Sequence, residues 1–130
     1  MKEGGIVLFL VLQAYGMLIR FDPNFARKDF ALFYRKVRKY RVRTNPWSTT
    51  VVDGICSAVD IACICYPKQV LCLQRSAAAA CLLRQYGVPA QMIIGAQPIP
   101  FKAHAWVEVD GGVVNDKSYV GEMYRVLDRC

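Results

Sequence analysis

The pattern of apolar positions divides the chain into a helical first part and a strand-rich last part. An almost unbroken apolar run covers Ile6–Ile19, and it predicts a first helix over about Glu3–Arg20 that the residues around Pro23 end. A second helix is predicted over about Phe25–Tyr40, because its aromatic and apolar residues recur every three or four positions between basic ones. The chain therefore begins with one apolar and one amphipathic helix.

Two more helices are predicted after a short linker around Pro46. Ser48 or Thr49 can cap a third helix that runs to about Cys65. The fourth begins near Leu71-Cys72 and ends at Gln85-Tyr86, where Gly87 is the expected stop. Four successive alanines in its middle favour helix and allow a neighbouring sheet to approach the backbone closely.

The period of the pattern then changes from helical to alternating. Strands are predicted over Ala90–Ala96, Phe101–Val109 and Val113–Asn115, with a proline-containing loop before the second and a glycine turn after Asp110. The tail from Lys117 onward shows no clear pattern. Helices followed by antiparallel strands predict an α+β fold.

Composition narrows the possible chemistry. The chain has 130 residues, 55% of them apolar, which suits one compact domain. It has six cysteines and a single histidine, His104, so multi-histidine metal sites are excluded and we expect neither metal nor cofactor. Most cysteines lie in apolar helical patterns and are expected to be small buried residues, namely Cys56, Cys63, Cys65 and Cys81. Without a convincing export signal, a reducing cytoplasm is the expected location.

The net charge of +7 is confined to the first part of the chain. Residues 1–45 contain ten Lys or Arg and three Asp or Glu, whereas residues 46–130 contain seven of each. We therefore expect residues 1–45 to form a basic helical docking segment and residues 46–130 the catalytic core, within one compact domain overall. A solvated helix face is the simpler explanation of the basic residues. No nucleic-acid-binding motif accompanies them, so nucleic acid is not an expected partner.

The apolar run at the start is short for a membrane span. As a helix, the run Ile6–Ile19 would extend about 21 Å, against a hydrocarbon core of about 30 Å. We expect it to be buried or covered by a partner, and membrane contact through it is the less favoured alternative.

A candidate nucleophilic site follows from the single histidine. If a three-residue turn joins its strand to the next, Asp116 becomes the diagonal neighbour of His104 on the same sheet face and can orient the imidazole. A two-residue turn would instead place Asp116 on the opposite face. A core histidine bonded to backbone is the alternative for His104 alone.

Cys72 is the cysteine expected at a helix N-terminus. The N–H groups there stabilise a thiolate and can donate to an oxyanion, so Cys72 is the candidate nucleophile and His104 the candidate base. Gln69 and Trp47 remain alternatives for a second oxyanion donor. The order Cys, His, Asp matches a papain- or transglutaminase-type site.

Four segments carry a more specific resemblance. The chain is similar to the lasso-peptide leader peptidases, of the transglutaminase-like superfamily, in Cys72–Ala77 (CLQRSA), Leu82–Ala90 (LLRQYGVPA), Ala103–Glu108 (AHAWVE) and Gly112–Asp116 (GVVND). The resemblance is close over about Trp47–Asp116. Ala77 departs from the leucine that is frequent there, which is a packing difference.

The resemblance implies a fold, an activity and partners. The fold would be papain- or transglutaminase-like, with a Cys-bearing helix on a small antiparallel sheet after N-terminal helices. The activity would be removal of the leader from a ribosomally made precursor peptide by a Cys72-His104-Asp116 triad. The partners would be the precursor, a separate leader-recognition protein, because two helices fill the first 45 residues, and an asparagine-synthetase-like cyclase. A transglutaminase-like acyl transferase and a catalytically silent scaffold of the maturation complex are the alternatives.

Overall fold

The structure is a computed structural model that describes residues 2–26 and 29–130. Its four longer helices are α1 (Lys2–Ala26), α2 (Phe30–Lys39), α3 (Thr49–Cys65) and α4 (Cys72–Gln85). The strands and the short helix that follow are β1 (Ala90–Pro98), β2 (Phe101–Val109), β3 (Gly112–Val113), α5 (Val120–Met123) and β4 (Arg125–Arg129). The helical first part and the strand-rich last part are as the sequence predicts.

The four strands form one antiparallel sheet in the order β3-β2-β1-β4. Helix α4 packs on one face, where Ala77–Ala80 are fully or almost fully buried in the same cluster as Met92 and Val107. The opposite face carries a smaller cluster of Ile93, Trp106 and Val120. The predicted α+β fold, with a cysteine-bearing helix on a small antiparallel sheet, is confirmed.

Helix α1 continues through Pro23 to Ala26, so the prediction that it ends before Pro23 is wrong. Proline lacks the N–H that would bond to the Ile19 carbonyl, but its fixed φ is compatible with helix. Because Pro23 lies in the last turn, the helix loses one bond there and ends three residues later.

Helix α2 begins at Phe30, later than the predicted Phe25. Asp29 is its N-cap, and the Asp29 carboxylate accepts a hydrogen bond from the Leu32 N–H at 3.1 Å. Arg27 and Lys28, part of the predicted basic helix, lie outside the described residues. Helix α3 starts after the predicted cap Ser48 and ends at Cys65, as predicted.

Both hairpins differ from the predicted loops. Strand β1 extends to Pro98, so only Ile99-Pro100 separate it from β2. The turn between β2 and β3 is Asp110-Gly111, both with positive φ, and Val109 pairs with Gly112. This two-residue turn contradicts the three-residue turn on which the expected neighbourhood of His104 and Asp116 depends. The tail supplies β4, which pairs with β1 and was not predicted.

Arg84 on α4 joins several elements from inside the protein. Arg84 is 5% exposed, and its guanidinium donates to the carbonyl oxygens of Ala90 at 2.8 Å and Val37 at 2.6 Å. It also donates to the carbonyls of Tyr40 and Cys130. Burial lowers the pKa of Arg84 from its usual value. One side chain therefore fixes the end of α2, the start of β1 and the residue after β4 around α4.

Helix α1 is buried in its second half and exposed in its first. Ala14, Leu18 and Phe21 are fully buried, whereas the apolar side chains near the start are 50–61% exposed, namely Ile6, Val7, Leu8, Phe9 and Leu12. By length and composition, the segment Gly5–Pro23 could cross a membrane, with a mean hydropathy of 1.6. The expectation of a covered helix therefore holds within this chain only for the second half.

Candidate active site

The imidazole of His104 is paired with the carboxylate of Asp116. Nε2 of His104 lies 2.5 Å from Oδ2 of Asp116, and the other carboxylate oxygen accepts the Lys117 N–H at 2.7 Å. The two side chains are 24% and 15% exposed. An ionised carboxylate can only accept hydrogen bonds, so Nε2 carries the proton and Nδ1 is left for other chemistry.

The early end of β3 makes this pairing compatible with the two-residue turn. Had β3 continued, Asp116 would face Ala105 on the other side of the sheet from His104. Instead the strand ends at Val113 and the chain bends over residues 114–116. The bend brings the Asp116 carboxylate to His104. The expected contact between these two residues therefore forms, but through a bend in the chain and not through strand pairing.

Asn115 holds the bend in place. Its side-chain Oδ1 accepts the Val107 N–H at 2.7 Å, where a longer β3 would have offered a backbone carbonyl. The Val114 N–H still donates to the Val107 carbonyl at 3.0 Å. An amide side chain thus replaces one backbone partner of β2 at the residue that precedes Asp116.

Ser76 connects this bend to helix α4. Its buried hydroxyl donates to the Ala105 carbonyl at 3.1 Å and accepts from Nδ2 of Asn115 at 3.2 Å. The helix, β2 and the Asp116 loop are therefore tied together one turn along α4 from Cys72. Within the resembling segments, Ser76 was expected to have a structural or leader-positioning role, and its bonds are structural. Asn115 was given no role, since a side-chain bond to a strand backbone leaves no trace in periodicity.

Aromatic rings cover the histidine. The ring of Tyr124 stacks on His104 with centroids 5.3 Å apart, and the ring of Trp106 lies 6.1 Å away. Nε1 of Trp106 donates to the Glu108 carboxylate at 2.9 Å. At Gly95, opposite His104 in the sheet, a Cβ would lie 2.8 Å from both Trp106 and Tyr124. A glycine is therefore needed for the rings to reach their places beside the imidazole.

Cys72 is the first residue of α4 and lines a cleft together with His104. The cleft, about 100 Å³ and open to solvent, is also lined by Tyr34, Leu73, Ile94, Ala103 and Ala105. No hydrogen bond joins Cys72 to His104 among the described residues. The structure thus pairs the imidazole of His104 with Asp116 and places Cys72 and residue 104 along one cleft. The His104 ring itself lies beside Trp106, on the sheet face opposite α4.

The other cysteines have different surroundings. Burial raises the pKa of the Cys56 thiol to about 11 and that of Cys81 to about 12, and it also raises the pKa values of Cys63 and Cys130. Cys65 is exposed, so the prediction that it is a buried residue is wrong. All six cysteines are free, and no group of three or more metal-ligating side chains occurs within the described part of the chain.

The surroundings of Asp116 favour its ionised form. Burial by itself raises the pKa of this carboxyl group. The hydrogen bonds from His104 and the Lys117 N–H, with the positive charges of His104 and Arg75, outweigh burial and hold the pKa of Asp116 below its usual range. Arg75 also lies 3.9 Å from Asp60 on α3. A charged carboxylate is therefore available to the imidazole at neutral pH.

The two candidates for a second oxyanion donor do not line the cleft. Gln69 is exposed in the loop before α4. Trp47 follows Asn45, whose carbonyl lies against Gly87 at the opposite end of α4 from Cys72. Helix α4 is about 20 Å long, so Trp47 is too far from the nucleophile to serve.

Comparison with known proteins gives the class to which this fold belongs. Residues 16–129 match the family described as the transglutaminase-like superfamily, and the chain belongs to that family. Among curated proteins, it is similar to the microcin J25-processing protein McjB of Escherichia coli, with 42% identity over 56 residues. The aligned part is 43% of this chain and 27% of that relative. No solved structure matches the chain.

Proposed function

We propose that the protein is a cysteine peptidase that removes the leader from a lasso-peptide precursor. The observation that carries this proposal is the arrangement of Cys72 at the start of α4, in one cleft with a His104 that is paired to Asp116. The similarity to a microcin-processing protein and the resembling segments support a precursor peptide as substrate.

In the proposed reaction, the thiol proton of Cys72 passes to Nδ1 of His104. The Cys72 sulfur then forms a bond to the scissile carbonyl carbon, and the carbonyl becomes an oxyanion. The imidazolium returns the proton to the leaving amine as the peptide bond breaks, which leaves a thioester on Cys72. Asp116 stabilises the imidazolium and keeps Nε2 protonated throughout.

Water completes the cycle. His104 takes a proton from a water molecule that attacks the thioester, and the Cys72 thiol is restored when the acid product leaves. Backbone N–H groups in the first turn of α4 are the candidate donors to the oxyanion, because helical bonding leaves them free. Cys72 must approach His104 more closely during the reaction, as is common for such pairs once substrate is bound.

The wider setting is part of the proposal. The precursor would be presented by a separate leader-recognition protein, and the freed core peptide would pass to an asparagine-synthetase-like cyclase. The reaction would take place in the cytoplasm, where Cys72 stays reduced.

Two other functions use the same fold. A transglutaminase-like acyl transferase would pass the acyl group from Cys72 to an amine instead of water. A silent scaffold would only assemble the maturation complex, and Cys72 would then be dispensable.

Incubation of the protein with a precursor and its recognition protein, followed by mass spectrometry, separates these possibilities. A peptidase yields free leader and a core whose combined mass exceeds that of the precursor by one water. A transferase yields a cross-linked product without that gain. We expect Cys72→Ala to abolish cleavage, and trapping of the wild-type acyl-enzyme to add the mass of the free leader minus one water to the protein.

The matched control is Cys65→Ala, which removes an exposed thiol outside the cleft. We expect this variant to cleave at the wild-type rate. Full cleavage by Cys72→Ala would contradict the proposal.

A further inference from the structure

We propose that the exposed start of α1 and a neighbouring cluster of basic residues bind the surface of an anionic lipid membrane. This inference is independent of the proposed peptidase chemistry, because it uses neither Cys72 nor the cleft. Its two components are an apolar helix end whose side chains are largely exposed in the part of the chain that the structure describes, and a basic pocket beside it.

The start of α1 protrudes from the protein. Residues 5–9 are all exposed, and five consecutive helical residues cover more than one full turn, so most of the circumference of this end is open to solvent. Ile6 and Phe9 also line an apolar groove of about 340 Å³ with Val51 and Tyr86. A cluster of exposed apolar side chains around one groove is typical of an interaction surface.

The basic pocket is formed where α1 passes α2. It is lined by Arg20, Lys36, Lys39, Tyr40, Arg41 and Arg43. Five of these side chains are cationic, and no carboxylate lines the pocket among the described residues. A set of like charges around one depression attracts anionic groups, and phospholipid headgroups present several of them side by side.

The groove and the pocket adjoin one another. Ile6, Gln13 and Arg20 follow at intervals of seven residues, so they lie along one side of α1. Tyr86 lines the groove and donates to Gln13, whereas the adjacent Gln85 accepts from Tyr40, which lines the pocket. The apolar and basic features are therefore connected through residues 85 and 86 at the end of α4.

This combination favours a membrane surface over a membrane span. To span a bilayer, α1 would have to withdraw the fully buried Ala14, Leu18 and Phe21 from the core that it shares with α3 and α4. The first half can enter the interface without any such loss, since its side chains are already exposed. Apolar insertion together with Lys and Arg against anionic headgroups is the usual composition of a peripheral anchor.

The test is flotation of the purified full chain with lipid vesicles. We expect it to float with vesicles of phosphatidylcholine and phosphatidylglycerol, to bind vesicles of phosphatidylcholine alone at least about tenfold more weakly, and to be released by high salt. No flotation with either vesicle, or equal binding to both, would overturn the proposal. Self-association through the apolar end, without vesicle binding, would overturn it too.

Variants separate the two components. Ile6→Ser with Phe9→Ser is expected to reduce vesicle binding by roughly tenfold or more, because both side chains are nearly 60% exposed and lie on the side of α1 that faces the basic pocket. The triple change Lys39→Gln, Arg41→Gln and Arg43→Gln should weaken it by roughly fivefold per charge. Binding unchanged in either variant would contradict the assignment.

Matched controls address folding and the peptidase site. Ile64→Ser with Leu127→Ser removes two exposed apolar side chains elsewhere and should float as the wild type does. Circular dichroism should show the same helix content in every variant, since all these side chains are exposed. Cys72→Ala should float normally, so failure of the peptidase proposal and failure of the membrane proposal give different results.

Discussion

His104 and Asp116 are hydrogen-bonded at 2.5 Å although the two-residue turn between their strands would place them on opposite sheet faces. The contact exists because β3 stops at Val113 and Asn115 takes over one of its backbone bonds to β2. The geometry of the candidate triad therefore depends on the loop after β3, and this dependence can be measured.

We expect Asn115→Ala to impair catalysis without weakening substrate binding. The change leaves the Val107 N–H without its acceptor, which costs roughly 1–3 kcal/mol, and releases the loop that positions Asp116. Peptide cleavage should show kcat lower by roughly tenfold to a hundredfold with KM little changed. Ser118→Ala, an exposed change in the same loop, is the control, and an equal fall in both variants would refute the positioning role.

Asp116→Asn tests the charge of the orienting group. The pKa of Asp116 is lowered, so its carboxylate contributes stability that is complete above about pH 4, the ordinary value in the unfolded chain, and is lost as pH falls through the lower folded value. The stability difference between wild type and variant should therefore be constant near neutrality and shrink in acid. Chemical denaturation from pH 7 to pH 2 measures it.

The same variant should lose roughly 10²–10⁴-fold in kcat, because an amide does not stabilise the imidazolium as a carboxylate does. Asp53→Asn, an exposed change on α3, serves as the control and should keep the wild-type rate. A cleavage rate in Asp116→Asn within a factor of two of wild type would exclude Asp116 from the mechanism.

Gly95→Val should disturb the aromatic cover of the histidine. A Cβ at this position would lie 2.8 Å from Trp106 and Tyr124, so overpacking should cost roughly 1–3 kcal/mol and displace both rings. The near-ultraviolet circular dichroism of Trp106 and the thermal midpoint should change together. Gly121→Ala is the control, since a Cβ there meets no atom within 4 Å.

Arg84→Met should destabilise the whole chain by roughly 3–5 kcal/mol. The variant leaves buried carbonyl oxygens on α2 and β1 without a donor, although methionine fills a similar volume. Denaturant unfolding measures the loss of stability. Arg35→Met, on the exposed side of α2, should change it by less than about 0.5 kcal/mol.

The elements with local signals could be predicted from the sequence. Ser48 as a cap and Gly87 as a stop identify α3 and α4 almost to the residue, because a cap or a positive φ is a property of one position. Cys72 could be placed at the start of α4 for the same reason. The proposed role of Cys72 as a peptidase nucleophile came from the family resemblance, because periodicity alone does not assign a reaction.

The remaining features depend on distant contacts. The predicted length of the β2–β3 turn was wrong. Asp110-Gly111 and Asp110-Gly111-Gly112 are equally good turn sequences, and the pairing of β3 with β2 decides between them. Strand β4 has no alternating pattern, since it lies at the sheet edge with most of its residues exposed. The contact between His104 and Asp116 was expected as a diagonal contact between neighbouring strands, which requires a three-residue turn. The contact forms instead because the Asn115 side chain holds a bend that a continued strand would not have made.

The four-way bonding of Arg84 also bears on how the protein is assembled during synthesis. The carbonyl of Cys130 follows β4, which comes after every other described element, and Tyr124 immediately precedes β4. A ribosome-bound chain that has not yet released this region would lack one acceptor for a buried guanidinium and the ring that stacks on His104. We therefore expect that, in nascent chains, His104 lacks its stacked Tyr124 ring and Arg84 lacks one of its acceptors. The surroundings of His104 would be completed only after β4 has been synthesised and released.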